Sequence, residues 1–271
     1  MRHSGAGVGL AVFSVLLLAG CQQMERLSFV RPSAQPRGYT QVAPTYDVSG
    51  KKGRAETDPA LLLLSAGDQL QRGQYAEAER LARQALKLQP GSGDAQTLLG
   101  AIASARGDAA AAGKAYQAAA MAAPGNGIYA NNYGSWLCAN GRAAESLDWF
   151  DRALADPSYP TPAAALANAG SCASAASQAQ RAESNWRKAL ALDPQNLPAL
   201  AGLAALEQGR GNGLEARAFV ERWLALSPDD PAGLRLAAEI EQKLGDNAAA
   251  SRYLSRLQAI SPGPTTAPRT Q

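Results

Sequence analysis

The sequence predicts an all-α chain: a right-handed solenoid of six helix hairpins preceded by a flexible tether. Three observations predict it. Apolar residues make up 46% of the chain but aromatics only 6%, so a core must be built mainly from small side chains that suit close helix packing. Helix-ending prolines recur at Pro90, Pro124, Pro194, Pro228 and Pro262, spaced 34, 70, 34 and 34 residues apart, and the 70 is two repeats plus two residues. Residues 22–58, by contrast, carry Pro32, Pro36, Pro44 and scattered Gly, Ser and Thr with no helical or strand period.

At the start of the chain, Arg2 and His3 precede the apolar run VGLAVFSVLLLAG, which is too short to span a bilayer and ends in small residues. Residues 1–20 therefore read as a secretory signal peptide. The run closes in Leu18-Ala19-Gly20-Cys21, which resembles the lipobox of bacterial lipoproteins, where the cysteine is lipidated and becomes the first residue of the mature chain. That resemblance implies a covalent lipid on Cys21. A single acyl chain holds a protein only marginally, at about 0.8 kcal/mol per buried methylene, but a lipoprotein cysteine carries several and the anchor is effectively permanent. The resemblance also implies an address: an aspartate after the cysteine marks inner-membrane retention, and here Gln22 and Gln23 follow, which points to the outer membrane, facing the periplasm. Residues 21–58 are then the lipidated cysteine and tether, including a basic patch at Lys51, Lys52 and Arg54. As a flexible coil, such a tether has a root-mean-square span of roughly 30 to 35 Å, enough to hold a domain clear of the head groups.

From residue 59 the chain repeats. A glycine falls 17 residues before four of the prolines, at Gly73, Gly107, Gly211 and Gly245. A small residue falls 12 before each, at Ala78, Ala112, Ala182, Ala216 and Ala250. With each repeat numbered from its own place one, Gly or Ala stands at place eight, Gly at fifteen, Ala at twenty and Pro at thirty-two. This pattern resembles the tetratricopeptide repeat, and six copies fit: 59–92, 93–126, 127–160, 163–196, 197–230 and 231–264, with a disordered tail expected at 265–271. Places eight and twenty are small because two antiparallel helices must approach there, as in Ala66 with Ala78 and Gly134 with Ser146. The glycine permits the turn and the proline stops the second helix. No hairpin buries its apolar face alone, so neighbours stack around one concave surface.

Several function classes are excluded early. A net charge of +3, evenly spread, leaves no nucleic-acid footprint. The one histidine, His3, leaves with the signal peptide, which removes Ser-His-Asp and Cys-His nucleophilic sites and nearly all zinc geometries. The expectation is a chain without catalytic residues, metal or cofactor. Glu145, Asp148 and Asp151 look like a carboxylate cluster, but their spacing is that of a solvated helix face on which Asp148 and Arg152 form an i,i+4 pair.

A repeat scaffold works by binding, and on the first helix of each hairpin places four, seven, eight and eleven face the partner helix. Places two, five, nine and twelve then form the stripe towards the concavity. In repeat one this stripe includes Leu63 and Leu70, apolar residues that invite an amphipathic partner segment or, alternatively, pack against the tether or cap the array. In repeat three it is Ile128, Asn131, Ser135 and Cys138, and in repeat six Ala232, Arg235, Glu239 and Gln242, so the groove grades from apolar to charged. Asn131 and Asn132 could clamp a peptide backbone, since a carboxamide both donates and accepts; local capping of the helix start is the other reading.

Cys138 and Cys172 fall at places twelve and ten of neighbouring first helices. Helix axes about 8 to 10 Å apart, with alpha carbons on a radius of about 2.3 Å, bring facing alpha carbons within roughly 4 to 6 Å, inside disulfide range. An oxidising periplasm would close the bond, which is worth about 2 to 4 kcal/mol; two buried thiols are the alternative.

A narrower resemblance centres on the same segment. NNYGSWLCANGRAAESLDWFDRALADPSYPTPAAALANAGSC, from Asn131 to Cys172, is similar to the corresponding part of the PilF/PilW lipoproteins, the pilotins of type IV pilus biogenesis. Asn131, Asn132, Tyr133, Gly134, Cys138, Gly141, Pro157, Tyr159, Asn168, Gly170 and Cys172 occupy the family's marked places, while Trp136 stands where Phe or Tyr is expected. The resemblance implies a non-enzymatic protein that binds secretin subunits and promotes their outer-membrane localisation and multimerisation, and the solenoid itself is expected to be monomeric. Another outer-membrane repeat lipoprotein role, scaffolding peptidoglycan enzymes, is the alternative. The expected partner surface comprises Leu63, Leu70, Asn131, Asn132 and Ser135.

Overall fold

The computed structural model describes residues 58–260. The signal peptide, Cys21, all of the tether before Asp58, the last four residues of the sixth repeat and the tail lie outside the described residues. Among the described residues there are only α-helices and turns. The helices are α1 (Pro59–Gln71), α2 (Tyr75–Leu88), α3 (Gly93–Ala105), α4 (Ala109–Ala122), α5 (Gly127–Ala139), α6 (Ala143–Ala155), α7 (Pro162–Ala175), α8 (Ala179–Leu192), α9 (Leu197–Arg210), α10 (Gly213–Leu226), α11 (Pro231–Leu244) and α12 (Asn247–Ile260). Consecutive pairs form six hairpins, and each hairpin packs on the next to give a tetratricopeptide-repeat solenoid.

The period fixes where helices start as well as where they stop. Asp58, Ser92, Asn126, Asn196 and Asp230 are spaced by the repeat, and each side chain accepts a backbone N–H from the first turn of α1, α3, α5, α9 or α11. α7 breaks the series. The two extra residues before it place Thr161 at the start without a side-chain cap and Pro162 at the first helical position, where a missing N–H costs nothing. At the hairpin turns, Gly73, Gly107, Gly141, Gly211 and Gly245 take φ between 73° and 85°, and in repeat four the same place is Ser177 with φ 60°. The turn geometry persists there without the residue that favours it.

Inside each hairpin the expected places are buried. Ala130, Tyr133, Gly134 and Leu137 line the inner face of α5, and Leu166, Ala169, Gly170 and Ala173 that of α7. The reason for small residues at place eight is partly different from the one the sequence suggests. A Cβ on Gly134 would come within 3.3 Å of the Ser146 carbonyl, so the pairing of places eight and twenty holds there. On Gly170, however, it would meet the Trp186 indole at 2.5 Å, and on Gly100 the Tyr116 ring at 2.8 Å. Both aromatics sit at place 24, so in these hairpins it is a ring from the second helix that occupies the vacated space.

Large side chains concentrate from repeat three onwards. Leu147, Phe150, Leu166, Trp186, Leu200, Leu203, Val220, Leu234 and Ile240 belong to one continuous buried cluster, whereas repeats one and two are closed by Ala66, Ala78, Ala82 and Ile102. Place eleven holds a surprise in the last two repeats: Glu207 and Glu241 are buried among these apolar residues. Each is paired. Glu207 accepts from Asn212 Nδ2 at 2.7 Å and from Arg210 at 3.1 Å, and Glu241 is bidentate to Arg217.

Candidate functional site

α5 and α11 present the expected open stripe, whereas in α7 and α9 the same places include the buried Ala167 and Gln208. In α5, Ile128 is exposed and Asn131, Ser135 and Cys138 are half-buried, in contrast to the buried residues one step round the helix. In α1, Leu63 and Leu70 are half-buried and pack against the cluster of Ala66, Ala78, Ala82 and Ile102, so both contribute to the core of the first hairpins as well as to its surface. Leu63 also lines a depression of about 310 Å³ with Gly93, Asp94 and Tyr129. Leu61 and Leu64, which the sequence reading passed over, are the more open pair, 43% and 73% exposed. They stand out in the sequence as half of an unbroken run of four leucines, too long for one helix face to bury.

α5 is the most unusual helix. Asn126 caps its N-terminus, accepting from Ile128 and Tyr129, and Asp156 from the following turn accepts from Gly127 N at 2.8 Å. With those roles filled, Asn131 and Asn132 have no capping work to do. Among the described residues neither carboxamide makes a hydrogen bond, and Asn131 Oδ1 is buried without a partner. Thr97 Oγ1, at the same place in repeat two, is also buried without one. A buried polar atom costs about 1 to 3 kcal/mol unless a water or a bound group satisfies it.

Around them lies an aromatic cluster. Tyr133 stacks on Trp136 at 5.9 Å and meets Trp149 edge-on at 4.8 Å, and the Arg152 guanidinium lies over Trp149 at 4.4 Å. The expected Asp148–Arg152 ion pair does not form. Two solvated side chains gain little from pairing, and the indole face offers the cation a better contact. Asp151 instead accepts from Arg181 of the next repeat at 2.7 Å. Tyr129 donates to Asp94 at 2.8 Å, and burial together with that carboxylate pushes its phenol up to about 12.

A disulfide joins Cys138 of α5 to Cys172 of α7 with alpha carbons 5.8 Å apart. It ties repeat three to repeat four across the junction where two extra residues interrupt the register. The structure does not bring the predicted partner residues into one cavity: Leu63 lines the depression near the repeat loops, while Asn132 and Ser135 line a separate one towards the hairpin turns. Asn131 lines neither of these.

Comparison with known proteins agrees with this geometry. A tetratricopeptide-repeat family model matches residues 173–240. The type IV pilus assembly protein PilF of Pseudomonas aeruginosa is 29% identical over 150 residues, which cover 55% of this chain and 59% of PilF, so the match spans less than two thirds of that relative. The solved structure of PilW, described as a widely conserved type IV pilus biogenesis factor, superposes with a TM-score of 0.70 and 30% identity, covering 75% of this chain and 94% of PilW. The solved structure of Pseudomonas aeruginosa PilF superposes equally well, at a TM-score of 0.70 over 78% of this chain and 95% of that one, and its 24% identity supports the fold. The 30% identity to PilW over 94% of its length places the chain in the PilF/PilW family of tetratricopeptide-repeat proteins.

Proposed function

We propose that this protein is a non-enzymatic, lipid-anchored pilotin of type IV pilus biogenesis, which binds secretin subunits and promotes their localisation and multimerisation in the outer membrane. The observation that carries the reading is the match to PilW, a type IV pilus biogenesis factor, over 94% of its length at 30% identity. The unpaired carboxamides of α5 support a binding role, because they offer a donor and an acceptor to a peptide backbone. Division of labour follows from the sequence. Lipid on Cys21 supplies the membrane address on the periplasmic face, the tether supplies reach, and the repeats hold the client. The test is Cys21→Ala in cells that make the pilus, with the secretin followed by membrane fractionation. The variant folds but secretin multimers fall at least about tenfold in the outer membrane; undiminished multimers would refute the lipid-address mechanism.

A further inference from the structure

Neighbouring repeats are clamped in a regular way. Glu79 at place 21 of repeat one pairs with Arg106 at place fourteen of repeat two, 2.7 Å apart. Glu183 at place 21 of repeat four pairs with Arg210 at place fourteen of repeat five, also at 2.7 Å. Between repeats five and six the same place, Arg217, reaches Glu241. Between repeats three and four Leu147 fills it and is buried.

The junction of repeats two and three has neither charge nor bulk at that place. It is Gly113, and a Cβ there would meet the Trp136 indole at 2.3 Å, so the ring lies directly against the glycine backbone. Place fourteen of repeat three is Asn140, whose side chain donates to its own helix at Trp136 O. What remains open is a slot of about 410 Å³ walled by Tyr116 and Trp136 and rimmed by Asn132, Ser135, Ala139 and Asn140. None of its lining residues is charged. The depression between repeats one and two is similar in size, about 460 Å³, but is lined by Glu79, Arg83, Arg106, Asp108 and Lys114.

We infer that this slot receives one apolar side chain of an extended, uncharged client segment, whose backbone is held by the Asn132 carboxamide at the rim. Charge decides the occupant. No lining residue offers a charge to pair with a charged side chain entering between Tyr116 and Trp136, whereas an apolar one gains the burial of both rings. Among the described residues the Asn132 carboxamide makes no hydrogen bond that the client would have to break. The inference rests on the reading of the chain as a secretin-binding protein and adds which part of it selects the segment and by what chemistry.

The experiment uses the full lipidated chain in detergent and overlapping peptides of about 15 residues covering the secretin's periplasmic part, with binding read by fluorescence anisotropy. Ala139 is exposed at the end of α5, so Ala139→Glu and Ala139→Lys leave the melting curve unchanged. The expected result is that bound peptides share an uncharged apolar stretch, and that both substitutions weaken them at least tenfold, irrespective of sign. Replacing the apolar residue of the peptide by aspartate or lysine weakens binding to the unaltered chain equally. Peptides that bind with affinity unaffected by these changes would overturn the slot while leaving secretin binding intact. Failure of both the peptides and the intact secretin to bind would overturn both readings.

Discussion

Ser177 shows how far a repeat tolerates the wrong residue. Its φ of 60° is in the left-handed region that the other five hairpins fill with glycine. An L-residue pays roughly 1 to 2 kcal/mol there, part of which glycine would return as extra freedom in the unfolded chain. Ser177→Gly is expected to stabilise the domain by about 0.5 to 1 kcal/mol, seen as a higher urea midpoint with an unchanged slope. A lower midpoint would mean that the serine contributes something its backbone angle does not reveal. Single residues of this kind were only partly legible. The place was visible because the period demanded a glycine and found none, but Glu207 and Glu241 were not. Both stand at a place the pattern reserves for apolar side chains, and Glu241 is excused by an arginine from the preceding repeat, a partner 24 residues away in sequence.

Among elements, helix boundaries were the most legible feature, because glycine and proline punctuate the chain for steric reasons that do not depend on the rest of the fold. Caps carried an equally clear signal. Asp58, Ser92, Asn126, Asn196 and Asp230 recur at the repeat spacing and were readable in the same way, yet hydrophobic periodicity draws the eye past them. The residue at place 24 that decides how close two helices come was harder, since it lies on the second helix and is aromatic in only three repeats, as Tyr116, Phe150 and Trp186. The disulfide between α5 and α7 acts at this scale too. It closes a separation of 34 residues at the one junction with an interrupted register, where α7 starts without a side-chain cap. Replacing both cysteines by serine should cost about 2 to 4 kcal/mol, measured by urea unfolding, and the loss should be matched by adding reductant to the unaltered protein. A smaller loss than about 1 kcal/mol would mean that packing alone holds the junction.

At the scale of the whole array, stability is a sum over repeats and their interfaces, so it need not be uniform. In repeats one and two the fully buried core is Leu62, Ile102 and alanines, with only partly buried leucines packed around them, and the outer helix exposes Leu61 and Leu64. Repeats three to six share a cluster containing Phe150, Trp186, Phe219 and Trp223, with the disulfide inside its span. At the other end, α12 buries only Ala249 and Ala250. Burying an alanine methyl contributes far less than burying a leucine or aromatic side chain, at about 25 cal/mol per Å² of apolar surface. The ends should therefore open while the middle stays closed. Hydrogen exchange followed by mass spectrometry should find α5 to α11 the slowest, with α1 to α4 and α12 exchanging at least about tenfold faster, a difference of about 1.4 kcal/mol in local opening. The gradient has a functional consequence if the client segment sits at the junction of repeats two and three, because that junction is the border between the loose and the firm parts of the array. Peptide binding would then slow exchange in α3 and α4 more than in α7 to α11, since only the former have freedom left to lose. Uniform exchange along the chain, or slowest exchange in α1 to α4, would contradict this account of where the array is held.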